Sequence, residues 1–291
     1  MDEISRLLER LRGVPFVKMT GSGNDFVFFD GRAVSRELVT TREVVAAICN
    51  RHNGIGADGV VVLEPGSEPP ECGDATIHYF NSDGSPADLC GNATLCSTRL
   101  AAEIGMGDAL RMSLRTPAGL INSRLAAGEP EIDLQPVNDI RRTMPIPLIA
   151  AELKIGFVQA GIPHLVILCD DVDRTEPEAR GPGLRRHPEA GPAGANVNWV
   201  ARGPAGKWHY RTFERGVEGE TLACGTGAIA TAILLVEWGL ATSPVELSTR
   251  SGLGVSVRLA QSADGSGTWM PSLRGEGRVV FRGEVSELRR S

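Results

Sequence analysis

The chain repeats itself, and a duplicated chain folds as two similar units. The segment HYFNSDGSPADLCGNATLCSTRLAAEIG, from His78, is echoed by HYRTFERGVEGETLACGTGAIATAILLVEWG, from His209. Each runs from an alternating, strand-like stretch through a polar Gly-rich loop to a Cys-Gly-polar step, then into a helix-like stretch closing at Gly. Glu103 and Gly105 follow Cys90 at the distances at which Glu237 and Gly239 follow Cys224. Three further echoes keep the same order: FVKMTGSGND with FVQAGIPH, GIGADGVVV with GANVNWV, and RTPAGLINSRL with TRSGLGVSVRL. Four matches in one order argue for duplication.

The expected fold is therefore mixed α/β, two pseudo-symmetric lobes, each with strands from its alternating runs and a main helix after its cysteine. Residues 1–13 read as a helical extension, with Ile4, Leu7, Leu8 and Leu11 at helical spacing. Residues 14–140 form the first lobe and 150–291 the second, the boundary falling in the proline-bearing stretch from Asp139 to Ala151. The strand-like RVVFRGEV near the C-terminus is expected to return to one of the lobes. Thr40-x-x-Glu43 before VVAAIC reads as a capping box opening a helix in the first half. The second half shows no clear counterpart, and Pro177 to Pro192, rich in Pro, Gly and Arg, reads as a surface loop.

Composition removes several function classes. With 30 Lys+Arg against 36 Asp+Glu and a formal charge of −6, the chain offers no basic field for a phosphate backbone, so no nucleic-acid partner is expected. No apolar run reaches the roughly 20 residues of a bilayer span, and the charged start MDEISRLLERLRG is unlike a signal peptide. A cytoplasmic protein with no membrane partner follows as the expectation. The six cysteines are too sparse for a disulfide framework, and no Cys-x-x-Cys pair or neighbouring His suggests metal, so no metal site is expected. None of the three lysines, Lys18, Lys154 and Lys207, lies in a glycine-rich setting suited to pyridoxal phosphate.

Cys49, Cys72, Cys96 and Cys169 read as core residues, because free cysteines are usually buried and inert. Cys90 and Cys224 differ in sharing one place in the repeat, each at the entry to a predicted helix. There the helix dipole should lower the thiol's pKa, and the amides beside Gly91 and Gly225 can hold a carboxylate. Two thiols beside one carboxylate suit removal of a proton from one face of its α-carbon and return of a proton to the other. Helix N-termini would stabilise the enediolate in a site closed to water. GSGND at 21–25 taken alone means only a turn, since it lacks the spacing and lysine of a phosphate-binding loop. Glu214-Arg215 reads equally as a surface ion pair and His164 as a satisfied polar residue near a strand end.

MTGSGNDFVFFD, RHNGIGADGV, NSDGSPADLCGN, the GIPH step, GANVNWV and ERGVEGETLACGTGA together resemble the diaminopimelate epimerase family, in order and across nearly the whole chain. The resemblance implies an isomerase without pyridoxal or other cofactor, built as two lobes, each a β-barrel-like sheet around a central helix, with the active site in the interlobe cleft. It implies Cys90 and Cys224 as the acid/base pair, with His164 and Glu214 tuning their ionisation. Asn24, Asn81, Asn196 and Arg215 would hold the distal end of a small amino-acid substrate, with Glu214 also in the binding set. Gly91-Asn92 and Gly225-Thr226 would hold its reacting carboxylate. The product would serve lysine and peptidoglycan synthesis, and a homodimer is compatible. The chain departs from the family pattern at Ala93, where a second glycine is common, at Leu95 in place of arginine, and at Ile162 in place of asparagine. A racemase of histidine or proline type on the same fold, and a non-catalytic or redox thiol protein, are the alternatives.

Overall fold

The fold, obtained as a computed structural model, is described for residues 2–67, 73–87, 90–149, 151–203 and 206–289. It divides into two units, Met1–Ile132 with Glu276–Ser291, and Asp133–Gly275. The division falls before the Asp139–Ala151 stretch, part of which forms a strand of the second unit. Among the described residues no helix is long and apolar enough to cross a membrane.

Unit 1 opens with α1 (Glu3–Arg10), whose Leu8, together with Leu11 beyond it, is buried in a layer shared with α3. The hairpin β1 (Pro15–Gly21) and β2 (Asn24–Asp30) turns through Ser22 and Gly23, both at positive φ, so GSGND is a hairpin turn. Helices α2 (Arg36–Val39) and α3 (Arg42–Cys49) then lead to β3 (Gly59–Pro65), parallel to β2. Thr40 does not open α3. Thr41 is its N-cap and makes no cap bond, because its hydroxyl donates to the Glu37 carbonyl within α2. The unit continues through β4 (Ala75–Asn81), β5 (Pro86–Ala87), α4 (Gly91–Glu103), β6 (Met112–Thr116), β7 (Gly119–Ala126) and β8 (Glu129–Asp133).

FVFF and VVVL in β2 and β3 are unbroken apolar runs because both faces are covered. Val27, Phe29, Val60 and Val62 face the α1/α3 layer, whereas Phe26, Phe28, Val61 and Leu63 face the layer of α4. Period-two geometry thus sends neighbouring residues into separate cores. Ala93 and Leu95 on α4 are both buried, so the two departures from the usual cysteine motif are packing residues.

Unit 2 holds β9 (Ile140–Arg141), β10 (Glu152–Ala160), β11 (Ile162–Cys169), α5 (Pro177–Arg185), β12 (Asn196–Arg202), β13 (Trp208–Glu214), β14 (Gly219–Thr221), α6 (Gly225–Glu237), β15 (Val245–Ser248), β16 (Gly254–Gln261) and β17 (Trp269–Gly275). The last strand, β18 (Arg278–Glu284), belongs to unit 1 and pairs antiparallel with β1. Pairing repeats between units. In unit 1, β1 and β2 are antiparallel, β2 and β3 parallel, β3 and β4 antiparallel, β4 and β6 parallel, and β6 and β7 antiparallel. In unit 2 the same senses join β10 to β11, β12, β13, β15 and β16 in turn.

The expected surface loop after Pro177 is instead α5, the crossover between parallel strands β11 and β12 and the counterpart of α3. Pro177 at its start needs no N–H partner, Leu184 is buried, and Arg180 grips Glu152 through Nε and Nη2 at 3.2 and 3.1 Å. A Cβ at Gly181 would stand 2.6 Å from the Phe213 ring, so only glycine permits this approach to β13.

Candidate active site

Cys90 and Cys224 each N-cap a 13-residue helix, with backbone angles φ −133°, ψ 114° and φ −133°, ψ 111°, and neither makes a side-chain cap bond. The first amides of α4 and α6, including those of Gly91 and Gly225, therefore stand at helix ends without a side-chain cap. The duplication extends to backbone conformation at the two thiols.

In unit 1, Asn92 Nδ2 donates to Asn24 Oδ1 at 2.7 Å, and Asn24 Nδ2 donates to Asp58 Oδ2 at 3.0 Å. Arg51 closes the string, donating to Asp58 at 2.6 Å and to Asp25 at 2.7 Å. The motifs GSGND, RHNGIGADG and CGN, distant in sequence, thus become one network that fixes the Asn24 amide. Asp25 is raised by burial, but hydrogen bonds and charge from Arg51 and Lys18 outweigh that and hold it at about 2. Asn81 bonds within its own turn, donating from Nδ2 to Ser85 Oγ at 3.0 Å. Tyr79, two residues earlier, reaches the Cys90 thiol. Asp88 and Leu89 of the same motif, and Cys72, lie outside the described residues.

In unit 2 the remaining expected residues gather around Cys224. Asn196 Nδ2 lies 3.7 Å from Cys224 Sγ, and its Oδ1 accepts the Arg215 N–H at 2.8 Å. Thr226 Oγ1 lies 3.6 Å from the same sulfur. Glu214 bonds to both Thr221 and the Cys224 thiol. It does not form the surface pair suggested by Glu214-Arg215, for the Arg215 guanidinium donates to the Ala193 carbonyl at 3.2 Å. Burial raises the Glu214 carboxyl above its ordinary range.

The Cys224 thiol departs from expectation. A helix N-terminus favours thiolate, yet burial and then the negative charge of Glu214 push this thiol up to about 12. Burial thus favours the protonated thiol at Cys224, beside Glu214. Cys49 and Cys169 are also pushed up to about 12 and Cys96 is raised, in each case mainly by burial, as suits core residues. The five described cysteines form no disulfide.

His164 is not a satisfied residue at a strand end. It is fully buried on β11, Nε2 has no hydrogen-bond partner among the described residues, and burial, then the charge of Arg215, lowers its pKa to about 3. An unpaired buried donor costs about 1–3 kcal/mol, so its retention points to use. Three neighbours go unassigned by the motifs, although Asn198 stands within GANVNWV. Tyr210 Oη donates to the Cys224 carbonyl at 2.9 Å and accepts its N–H at 3.3 Å, and Asn198 and Thr212 form a buried chain to His164. Only the repeat offered a hint, since Tyr79 and Tyr210 follow the two histidines that open the echo.

The family model for diaminopimelate epimerase matches residues 16–137 and 156–265. The chain is 59% identical over 279 residues to the diaminopimelate epimerase of Gemmatimonas aurantiaca, covering 94% of this chain and 99% of that one. It is 36% identical over 284 residues to that of Aquifex aeolicus, covering 94% and 98%. Among solved structures, a Bacillus anthracis phenazine biosynthesis protein of the PhzF family superposes with a TM-score of 0.68 at 15% identity, covering 93% and 98%. A hydroxyproline epimerase from Agrobacterium vitis, with trans-4-hydroxy-L-proline bound, gives 0.62 at 18%, covering 96% and 93%. These two likenesses speak to fold alone. With the family match spanning both cysteine-capped helices and the sequence identity running through nearly the whole chain, this protein belongs to the diaminopimelate epimerase family.

Proposed function

We propose that the chain interconverts LL- and meso-diaminopimelate by moving a proton at the α-carbon between two cysteines, Cys90 and Cys224. One sulfur, as thiolate, takes the α-hydrogen as a proton and leaves its electron pair on the carbon and carboxylate. The other, as thiol, delivers a proton to the opposite face, so the configuration inverts with no net gain or loss. Members of this family work without pyridoxal phosphate. The observation that carries the reading is the identical placement of the two thiols at uncapped helix N-termini, where amide groups favour the charge developing on the substrate carboxylate.

In this reading Cys224, protonated at rest, is the donor when Cys90 is the base, and the thiolate it becomes is the base when the direction reverses, with Glu214 tuning its ionisation. His164 stabilises negative charge. Gly91-Asn92 and Gly225-Thr226 take the reacting carboxylate, while Asn24, Asn81, Asn196 and Arg215 take the distal amino-acid group, for which amides and a guanidinium are suited. We also read each unit as a sheet curved about its central helix, which is supported by α4 packing on β1, β2, β3, β4 and β7, and α6 on β10, β11, β12, β15, β16 and β17.

The test is incubation of the purified protein with LL-diaminopimelate in deuterium oxide, beside histidine, proline and lysine. Deuterium should enter the α-position of diaminopimelate as the meso form accumulates. Absence of exchange, or preference for a monoamino acid, overturns the proposal.

A further inference from the structure

We infer that Asn198 and Thr212 are positioning residues that lock His164 in the tautomer protonated on Nε2, so that it serves as a hydrogen-bond donor to negative charge rather than as a base. The role toward the reaction rests on the function proposed above. The tautomer follows from geometry alone. Asn198 lies 3.0 Å from the Leu165 carbonyl oxygen, which can only accept, so the nitrogen of its amide must face that oxygen. Its Oδ1 is then the atom 2.9 Å from Thr212 Oγ1, and the hydroxyl donates to it. The second hydrogen of the amide points at His164 Nδ1, 3.2 Å away. That nitrogen must offer a lone pair, and the ring's single proton is left on Nε2.

Two further observations separate this chain of polar groups from ordinary core. At the corresponding register of unit 1, where Phe26 pairs beside Gly59 as His164 does beside Asn196, the residues matching His164 and Asn198 are Phe26 and Val61, both apolar and buried. The fold therefore does not require polar groups here. Gly227 on α6 also makes room for them, since a Cβ there would stand 2.4 Å from Asn198 Oδ1. The ring faces Asn196 and Asn198 from β12 and the charge of Arg215 from the turn after β13. No carboxylate is among these partners, so nothing in the set favours a second proton on the ring. A base must accept at Nε2, which is already protonated, or at Nδ1, which Asn198 occupies. A donor needs only the Nε2 hydrogen, and hydrogen bonding to an anion favours the anion.

Nitrogen NMR of the full chain labelled with 15N-histidine is the direct test, with the His164 signal assigned by its loss in His164→Gln. The ring should show a protonated Nε2 and an unprotonated Nδ1, unchanged between about pH 5 and 8. A protonated Nδ1 in the wild-type protein overturns the inference. In Asn198→Asp the carboxylate can only accept, so the proton should move to Nδ1 and kcat should fall about a hundredfold, as for loss of one preorganised donor, with KM changing far less. Should that variant not fold, Thr212→Val should lower kcat and Thr212→Ser restore it. A swapped tautomer with wild-type kcat, or a serine no better than valine, also overturns it. Loss of the diaminopimelate reaction in the wild-type protein would sink the functional reading and leave the tautomer result standing.

Discussion

Cys224 sets two opposing effects against each other, and magnitude decides between them. A helix N-terminus contributes at most about 2 kcal/mol toward the thiolate, whereas burial can move a group's ionisation by several pKa units. Burial and the adjacent Glu214 win, holding Cys224 protonated at about 12. Position in the sequence revealed the dipole but not the burial, which is why the state of this thiol was illegible there. Replacing either Cys90 or Cys224 by serine should lower epimerisation by about a thousandfold or more, because an alcohol is a far weaker acid and base. Cys49→Ser and Cys169→Ser should retain kcat, since both thiols are inert core groups with pKa near 12. Steady-state assays of the four folded variants test this, and full activity in Cys224→Ser would defeat the two-base mechanism. Asn24, Asn196, Glu214 and Thr226 were legible through their motifs. Thr212 and Tyr210 were not, because they reach their partners through strand register, which no local motif announces, and Asn198, though inside GANVNWV, likewise owes its partners to register. Ile162 is half-buried and pairs with Ala160 across β10 and β11.

Among the elements, the two cysteine-capped helices were readable because loop, cap and apolar stretch agree with one another. Helix α5 was not, and its own residues explain why. Two glycines and an internal proline over Pro177–Arg185 give it poor intrinsic helicity, so its stability comes from distant partners, Phe213 beneath Gly181 and Glu152 beside Arg180. The same dependence makes Gly181→Ala a sharp probe. The added methyl meets the Phe213 ring, whose Cβ end is backbone-anchored, and should cost about 1–3 kcal/mol through overpacking. Urea denaturation measures it, and unchanged stability would mean that α5 is not seated on β13. The capping-box reading of Thr40 failed for a comparable reason, as α2 directly precedes α3 and takes the hydroxyl of Thr41.

Across the whole molecule, acid should act in two steps. His164 has a folded pKa of about 3 against an ordinary 6.5, so below about pH 6.5 the unfolded chain gains a proton that the folded chain refuses, and stability falls toward pH 3 by roughly a few kcal/mol. Asp25, held at about 2 from an ordinary 3.8, contributes stability that is present above about pH 4 and lost as pH falls through 2. Its share is roughly 2 kcal/mol, reduced by screening because Arg51 is more than half-exposed. Urea midpoints across this range should show both steps. His164→Gln should remove the upper one and Asp25→Asn the lower, and an unaltered profile in either variant would contradict the corresponding assignment. The pairing of β18 with β1 has a bearing on how the molecule is made. Residues 133–275 lie together in the chain and have all their strands once synthesis passes Gly275, whereas residues 1–132 wait with an incomplete edge until Arg278–Glu284 emerge. The part translated first is thus the part finished last. An exposed strand edge invites mispairing for as long as it stays open, so during synthesis β1 keeps an open edge over the time needed to translate about half the chain.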